Sequence, residues 1–319
     1  MVVAYNGGEL LAGCLDALLP QWLPGGMEVL VVDNGSSDGS PDQVRRRFPQ
    51  VRLVEIGSNL GFAAGNNLGL RLALGTHLVV LNQDTRVRPG WLAALVQAAE
   101  AGPRVGAVTS KLLFASRPDH VQNAGSLLLS DGSGGDRGSG ELDRGQYDRP
   151  EEVFAFCGAA ALLTRPMLAD VGMFDASFFN YYEDTDLSWR MRLRGWRVLY
   201  EPAAVVEHEH MASAGEWSKF MVFHADRNRL FMISKNARPG FAARSLGRLA
   251  ARAAGRGRPG ARAAQPVRRA LRGRVLGSFA LNLPQLLFKR IRIRLRRRVS
   301  DVEIERWMYS RELWDARSA

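Results

Sequence analysis

The chain has 319 residues, 46% hydrophobic and 24% charged, with a formal net charge of +11; this suits one large or two ordinary globular domains and excludes a fibrous or wholly disordered chain. Its two cysteines, Cys14 and Cys157, lie far apart in sequence, which excludes a disulfide framework or a cysteine-based zinc site and fits a reducing compartment. No stretch reaches the roughly 18 apolar residues that a membrane span requires, and no secretory leader is expected because Met1 runs straight into Val2, Val3, Ala4 and Tyr5.

Residues 2–5 read as a strand, followed by Asn6, Gly7 and Gly8 and an amphipathic helix carrying Leu10, Leu11, Cys14, Leu15, Leu18 and Leu19 up to Pro20. A strand that opens at the first residue is short, so an abbreviated start is expected. A second apolar run at 28–32 stops at Asp33, Asn34, Gly35 and Ser36, and Ser37 or Asp38 can cap a helix through Val44 and Phe48. A third strand at 51–56 leads into Asn59, Leu60, Gly61 and Phe62, then a helix containing Gly65, Asn66, Leu68 and Leu72. The pattern GxGxxG is absent; Gly61 and Gly65 either bring backbone N–H groups to a pyrophosphate or permit tight turns and close packing. Strands alternating with helices at this spacing predict a parallel, doubly wound α/β sheet.

The run Leu78, Val79, Val80 and Leu81 reads as a strand buried on both faces, and it stops at Asn82, Gln83, Asp84 and Thr85. Ligands of open α/β sheets sit beyond such strand ends. Asp84 can therefore offer a carboxylate to Mg²⁺ or Mn²⁺ that is also bound by substrate phosphates. Alternatively this is an ordinary turn leading to Pro89, read as the first residue of a helix through Trp91, Leu92, Leu95 and Val96. After a strand at 105–109 the alternation breaks down, and residues 130–150, rich in Gly, Ser and Asp, predict a mobile, solvent-facing loop. Order returns at 154–164, where Gly158 and Ala159 are small enough to admit a neighbouring backbone or a sugar.

Residues 174–196 hold a second acidic cluster. Asn180 with Glu183 resembles a capping box, Asp186 and Arg190 form an i, i+4 pair, and Gly195 stops a helix over about 184–194. Acids in a first turn complement the helix dipole. Equally, Phe178, Phe179, Tyr181 and Tyr182 form an apolar wall that can raise a neighbouring carboxylate toward general-base duty, while the dipole acts the other way. Short strands at 197–200 and 203–206 then end in Glu207, His208, Glu209 and His210, and His208 can complete a metal shell with Asp84.

From residue 236 to 299 there are 18 Lys and Arg and no Asp or Glu; removing these from the net +11 leaves −7 elsewhere. A basic tail on a mildly acidic body points to lipid headgroups or nucleic acid. Residues 255–266 read as a flexible linker. The apolar stretch 275–288, broken by Asn282, Pro284 and Gln285, precedes Lys289, Arg290, Arg292, Arg294, Arg296, Arg297 and Arg298. That pairing suits an interfacial helix on an anionic membrane, with a simple solvated segment as the alternative. Trp307, Tyr309 and Trp314 follow the arginines without interleaving, which disfavours nucleic-acid stacking.

Five motifs occur in order: Ala4-Tyr5-Asn6; Asp33-Asn34-Gly35-Ser36-Ser37-Asp38-Gly39; Asn59-Leu60-Gly61-Phe62 with Gly65-Asn66; Asn82-Gln83-Asp84; and Glu183-Asp184-Thr185-Asp186-Leu187 with Arg190 and Gly195-Trp196. Through them, residues 2 to about 237 resemble an inverting family 2 glycosyltransferase of GT-A type fold, within its rhamnosyltransferase-like branch. The resemblance implies a catalytic domain over 1–237, a helical segment and basic linker over 238–266, and a basic amphipathic helical tail over 267–319. It implies that Asp33 bonds the nucleoside with help from Tyr5 and Asn66. Ala4, Asn6, Asn34, Ser36, Asn59, Gly61, Gly65, Asn82 and Gln83 would line the nucleotide-sugar site. Asp84 and His208 would hold Mg²⁺ or Mn²⁺, more loosely for having Asn82 where relatives often carry Asp. Asp184, or else Glu183, would act as base, with Gly158, Ala159, Asp186 and Arg190 on the acceptor side. The implied donor is dTDP-L-rhamnose, with UDP-GlcNAc or UDP-galactofuranose as alternatives. The implied acceptor is a lipid-linked or envelope polysaccharide at the cytoplasmic face of the plasma membrane. An inactive nucleotide-sugar binder and a nucleic-acid binder are the competing classes.

Overall fold

The computed structural model describes residues 1–209, 218–253 and 269–317, so the expected linker at 255–266 and His210 lie outside the described residues. The apolar runs become strands and their polar stops become turns. β1 (Val2–Ala4), α1 (Gly8–Leu18), β2 (Leu30–Asp33), α2 (Ser40–Arg47), β3 (Arg52–Glu55), α3 (Gly61–Leu72) and β4 (His77–Asn82) follow as parallel βα units, in spatial order β4-β1-β2-β3. β2 is buried throughout because helices cover both faces of the sheet. Leu11 and Leu15 of α1 pack on one face and Ala63 and Leu70 of α3 on the other. The N-cap of α2 is Gly39, not Ser37 or Asp38; Asp38 still serves the helix start, accepting from the backbone N–H of Ser40 at 3.1 Å.

Beyond β4 the chain enters β5 (Thr85–Val87), and α4 (Trp91–Glu100) begins behind a left-handed Gly90. Pro89 therefore lies outside the helix, because residues up to Val87 are extended for pairing. β6 (Val105–Phe114) is followed by β7 (Arg117–Asn123), β8 (Ser126–Leu129), β9 (Gly134–Asp136), β10 (Glu151–Glu152), β11 (Ala160–Thr164), α5 (Arg165–Val171), α6 (Glu183–Leu193) and β12 (Arg197–His208). The main path is β10-β12-β6-β11-β4-β1-β2-β3. β11 runs antiparallel between β4 and β6, and β5 pairs with β12. The two short strands expected at 197–206 are one strand with a register shift between Glu201 and Val205, around Pro202, which has no N–H for the ladder.

Five helices and a strand complete the described chain: α7 (Lys219–Asn236), α8 (Pro239–Ala253), α9 (Arg269–Arg296), α10 (Asp301–Glu305), β13 (Met308–Tyr309) and finally α11 (Arg311–Arg317). Within the segment expected to be a solvent-facing loop, Gly134–Asp136 is instead a strand of a second sheet, β13-β8-β9, while residues 137–150 are turns and irregular chain, mostly exposed. The basic tail is not a free appendage either. Val275, Phe279 and Leu286 of α9 join Trp189, Leu230, Phe231, Ile233 and Ile304 in a third hydrophobic core.

A buried ionic cluster fastens these elements. Asp186 of α6, fully buried, accepts from Arg190 Nε at 2.9 Å, Lys235 Nζ at 3.0 Å and Asn236 Nδ2 at 2.8 Å. Lys235 also reaches Asp175 Oδ2 at 2.5 Å, and Lys289 of α9 reaches Asp175 Oδ1 at 2.6 Å. Burial would raise the Asp175 carboxyl, but the two ammonium groups hold it far below the usual range. Replacing Lys235 by Met would leave two buried carboxylates short of a cation. We expect a loss of about 3–5 kcal/mol in urea unfolding; a loss below about 1 kcal/mol would mean that the cluster is not a fastening.

Candidate active site

The carboxyl ends of β1 and β2 carry turns locked together by side chains. Ser36 Oγ accepts from Asn6 N at 2.9 Å, and Asn6 Oδ1 accepts from Ser37 N at 2.8 Å. Gln83 bonds the Tyr5 backbone in both directions, with Oε1 accepting from N at 2.9 Å and Nε2 donating to O at 3.1 Å. Asn34 Nδ2 donates to Asn59 Oδ1 at 3.0 Å, while its Oδ1 accepts from Leu60 N at 2.9 Å. Asn6, Asn34, Ser36, Asn59 and Gln83 thus shape the rim through bonds among themselves. Ala4 is buried in the sheet, and the Tyr5 ring projects at 41% exposure.

Asp33 is different. Its Oδ2 accepts from the backbone N–H of Gly35 and Ser36 at 3.2 and 3.1 Å, while Oδ1 is buried with no hydrogen-bond partner. An orphaned carboxylate oxygen at a strand end is an acceptor waiting for a donor. Two other expected residues turn to packing: Asn66 Nδ2 donates to Phe62 O at 2.9 Å, and a Cβ on Gly65 would lie 2.9 Å from the Val3 side chain. At Gly61, φ is +83° and a Cβ would stand 2.6 Å from the Phe179 ring. Close approach of the 179–182 segment therefore requires glycine there.

Pairing of β5 with β12 sets His208 opposite Thr85 and carries Asp84 beside the imidazole. His208 Nε2 stands 3.3 Å from Asp84 Oδ1, a buried oxygen without a hydrogen-bond partner. Nδ1 contacts Gln122 Oε1 at 2.8 Å, and a ring that donates there from Nδ1 alone would turn its Nε2 lone pair toward Asp84, the tautomer a metal ligand needs. Among the described residues no third His, Cys, Asp or Glu completes a metal shell. A carboxylate and a neutral imidazole, with room left for substrate oxygens, fit a divalent cation that is shared with a diphosphate.

On the opposite wall, Asp184 Oδ2 accepts from Gly158 N at 2.9 Å, and Ala159 O accepts from Asn82 N at 2.8 Å. The start of β11 thus bridges the two acidic clusters. Asp186 and Arg190, expected at the acceptor side, instead belong to the buried fastening described above. The expected capping box is also absent: the N-cap of α6 is Tyr182, and Asn180 Oδ1 accepts from Tyr181 N. Phe179, Tyr181 and Tyr182 all have positive φ, at 65°, 72° and 70°. Such strain persists only where neighbours over-determine it. Here Asn228 of α7 does so, its Nδ2 lying within 2.8 Å of the carbonyls of Phe178, Asn180 and Tyr181.

Residues 1–172 match the family description "Glycosyl transferase family 2", which is more than half of the chain. The chain belongs to glycosyl transferase family 2. N-acetylglucosaminyl-diphospho-decaprenol L-rhamnosyltransferase of Mycobacterium tuberculosis is 27% identical over 260 residues, covering 74% of this chain and 84% of that protein. The pre-mycofactocin glycosyltransferase of the same organism is 28% identical over 238 residues, covering 70% and 48%. Two solved structures share the fold. The mannosyltransferase of Pyrobaculum calidifontis, in complex with GDP-Man and Mn²⁺, has TM-score 0.53 at 21% identity, covering 92% of this chain and 84% of that one. GalNAc-T7 with UDP, GalNAc and Mn²⁺ has TM-score 0.62 at 13% identity, covering 89% and 56%.

In this glycosyltransferase the structure adds residues that the sequence pattern did not single out. Asp136 of β9, held by Asn123 Nδ2 at 2.7 Å, faces the cleft closely enough to feel both Asp184 and His208. Phe220 and His224 of α7 stack against Phe179, with ring centroids 4.4 Å apart for Phe220–His224 and 5.5 Å for Phe179–His224. Burial lowers the His224 pKa to about 4, so this wall is neutral near pH 7. The only local signal for Asp136 was an acid in a glycine-rich segment, whereas Asn228 stands in the run Arg227-Asn228-Arg229, which resembles the rhamnosyltransferase-like branch.

Burial raises the Asp184 carboxyl against the pull of the Gly158 and Thr185 donors, and burial with the Asp184 charge raises Glu183 well above its ordinary value. A base works only when deprotonated, so the acid limb of kcat/KM should lie above the ordinary carboxylate pKa of about 4. A pH–rate profile with its limb at that ordinary value would count against either carboxylate as base. Asn228→Ala should lower kcat by up to about 100-fold through loosening of the strained segment, with donor KM unchanged. Equal kcat would remove Asn228 from a positioning role.

Proposed function

We propose that the protein is an inverting, metal-dependent glycosyltransferase that moves L-rhamnose from dTDP-L-rhamnose to a hydroxyl of a lipid-linked saccharide, at the cytoplasmic face of the plasma membrane. The observation that carries the reading is the unpartnered Asp84 Oδ1 beside the free nitrogen of His208, across the β11 start from Asp184. The donor sugar and lipid-linked acceptor are supported by the mycobacterial rhamnosyltransferase, whose length is largely covered. Divalent metal use is supported by the two structural neighbours, both with Mn²⁺.

Asp33 Oδ1 accepts a ring N–H of the base, and the exposed Tyr5 ring lies alongside it. Asp184 takes the acceptor hydroxyl proton as that oxygen attacks the anomeric carbon; the bond to the diphosphate breaks on the opposite face, inverting the centre in one displacement. Asp84 and His208 would hold Mg²⁺ or Mn²⁺, which when bound would supply charge neutralisation at the departing nucleoside diphosphate. The aromatic wall of Phe179, Phe220 and Tyr181 offers an apolar face to the acceptor.

A donor panel tests this: dTDP-rhamnose, UDP-GlcNAc and UDP-galactofuranose, with a polyprenyl-diphosphate-linked saccharide, followed by nucleoside diphosphate release. Turnover with dTDP-rhamnose alone is expected, lost with EDTA, reduced about 10²–10⁴-fold in Asp184→Asn and about 100-fold or more in His208→Ala. Turnover only with a UDP-sugar would move the donor assignment; binding of every donor without turnover would make the protein a nucleotide-sugar binder.

A further inference from the structure

α9 is apolar on two opposite faces. Val275, Phe279, Leu286 and Ile293 turn inward to the third core. On the far side, at i, i+3, i+7, i+10 and i+14, stand Leu281, Pro284, Phe288, Ile291 and Leu295. Leu281 is 85% exposed, Phe288 60%, Ile291 57% and Leu295 80%, and Arg292 of the same helix lies over the Phe288 ring at 5.7 Å. Isolated exposed apolar residues are ordinary, but a continuous row along one helix is an interaction surface.

The cations of α9 divide in the same way. Lys289 bonds Asp175, Arg290 bonds the carbonyls of Ser234 and Ala237 at 2.7 Å, and Arg294 bonds Asp301 at 2.7 Å. Arg292 and Arg296, one turn apart along the edge of the apolar row, have no carboxylate partner among the described residues. Both line a cavity of about 420 Å³ that also takes in Arg190, Arg194, Lys235 and Lys289. Its only acids, Asp170 and Asp175, are already paired, with Arg194 and with the two lysines. Asp186 behind the lining engages Arg190 and Lys235 as well, so six cations meet three acids, which leaves a basic mouth beside an apolar ridge, and α9 has no Asp or Glu to oppose an anion.

We propose that α9 is the surface on which the protein lies against an anionic phospholipid bilayer. Leu281, Phe288, Ile291 and Leu295 enter the acyl boundary, while Arg292 and Arg296 take lipid phosphate at the cavity mouth. The occupant follows from charge complementarity. A second copy would bring the same unpartnered arginines together, and no described helix is long and apolar enough to cross a membrane. The proposal deepens the reading of a lipid-linked acceptor, on which it rests for its purpose.

Vesicle flotation of the full chain, without donor or acceptor, tests it. The wild type should float with phosphatidylcholine vesicles containing phosphatidylglycerol and stay behind with phosphatidylcholine alone. Arg292→Gln with Arg296→Gln should weaken binding about 25-fold, from about fivefold per charge. Phe288→Ser with Leu295→Ser should abolish flotation, with unchanged melting temperature and unchanged nucleotide release on a detergent-dispersed acceptor. Equal binding to neutral vesicles, no binding at all, or full binding by the serine pair would overturn the proposal. So would a wild-type dimer in sedimentation that the serine pair dissociates. Flotation needs no sugar, so a different donor in the panel would leave this result standing.

Discussion

The Asp186 carboxylate is the constraint on which the rest of the protein hangs. It lies within one turn of Glu183 and Asp184, and its burial in the core is matched by bonds from Arg190, Lys235 and Asn236. Through Lys235 and Asp175 the same cluster reaches Lys289, so α6, α7 and α9 share one buried set of charges. Isolated buried charges are costly, whereas a fully bonded set of this kind fixes a single arrangement. The orientation of α6 is thereby tied to helices that come later in the chain, through residues from Lys235 to Lys289.

The two walls of the cleft are built by different physical means. The donor wall stands on strand ends of a doubly wound sheet, where short side chains stitch one turn to the next: Asn6 to Ser37, Asn34 to Leu60, Gln83 to Tyr5. The acidic wall is a strained segment with three non-glycine residues at positive φ, held from outside by Asn228 and Arg227 of α7. One wall is rigid through local bonding and the other through tertiary support.

This difference explains what could be read from the sequence. Apolar runs that end in polar turns report their strands directly, so the first four βα units and the positions of Asp33 and Asp84 were legible, as was the helix from Glu183 to Gly195. The i, i+4 pair of Asp186 and Arg190 was also legible, but its direction was not: inward burial depends on Lys235 and Asn236, about 50 residues away. The sheet containing Asp136 was invisible, since Ser130 N bonds Tyr309 O and Leu128 pairs with Met308; a segment with no apolar rhythm becomes a strand when a distant partner supplies the edge. The tail misled for a similar reason. Composition shows arginines and leucines, and only packing shows which of them are already engaged.

The pairing of β13 with β8 has a consequence for the order in which the protein can be made. On the ribosome the parallel strands β1 to β4 emerge first and pair with one another, although β4 gains its second neighbour only with β11. The edge that steadies β8 and β9, and hence Asp136, is synthesised almost 180 residues after β8, and α9 closes the third core only shortly before it. A nascent chain therefore holds its first parallel strands long before β8 and β9 gain the edge that β13 supplies.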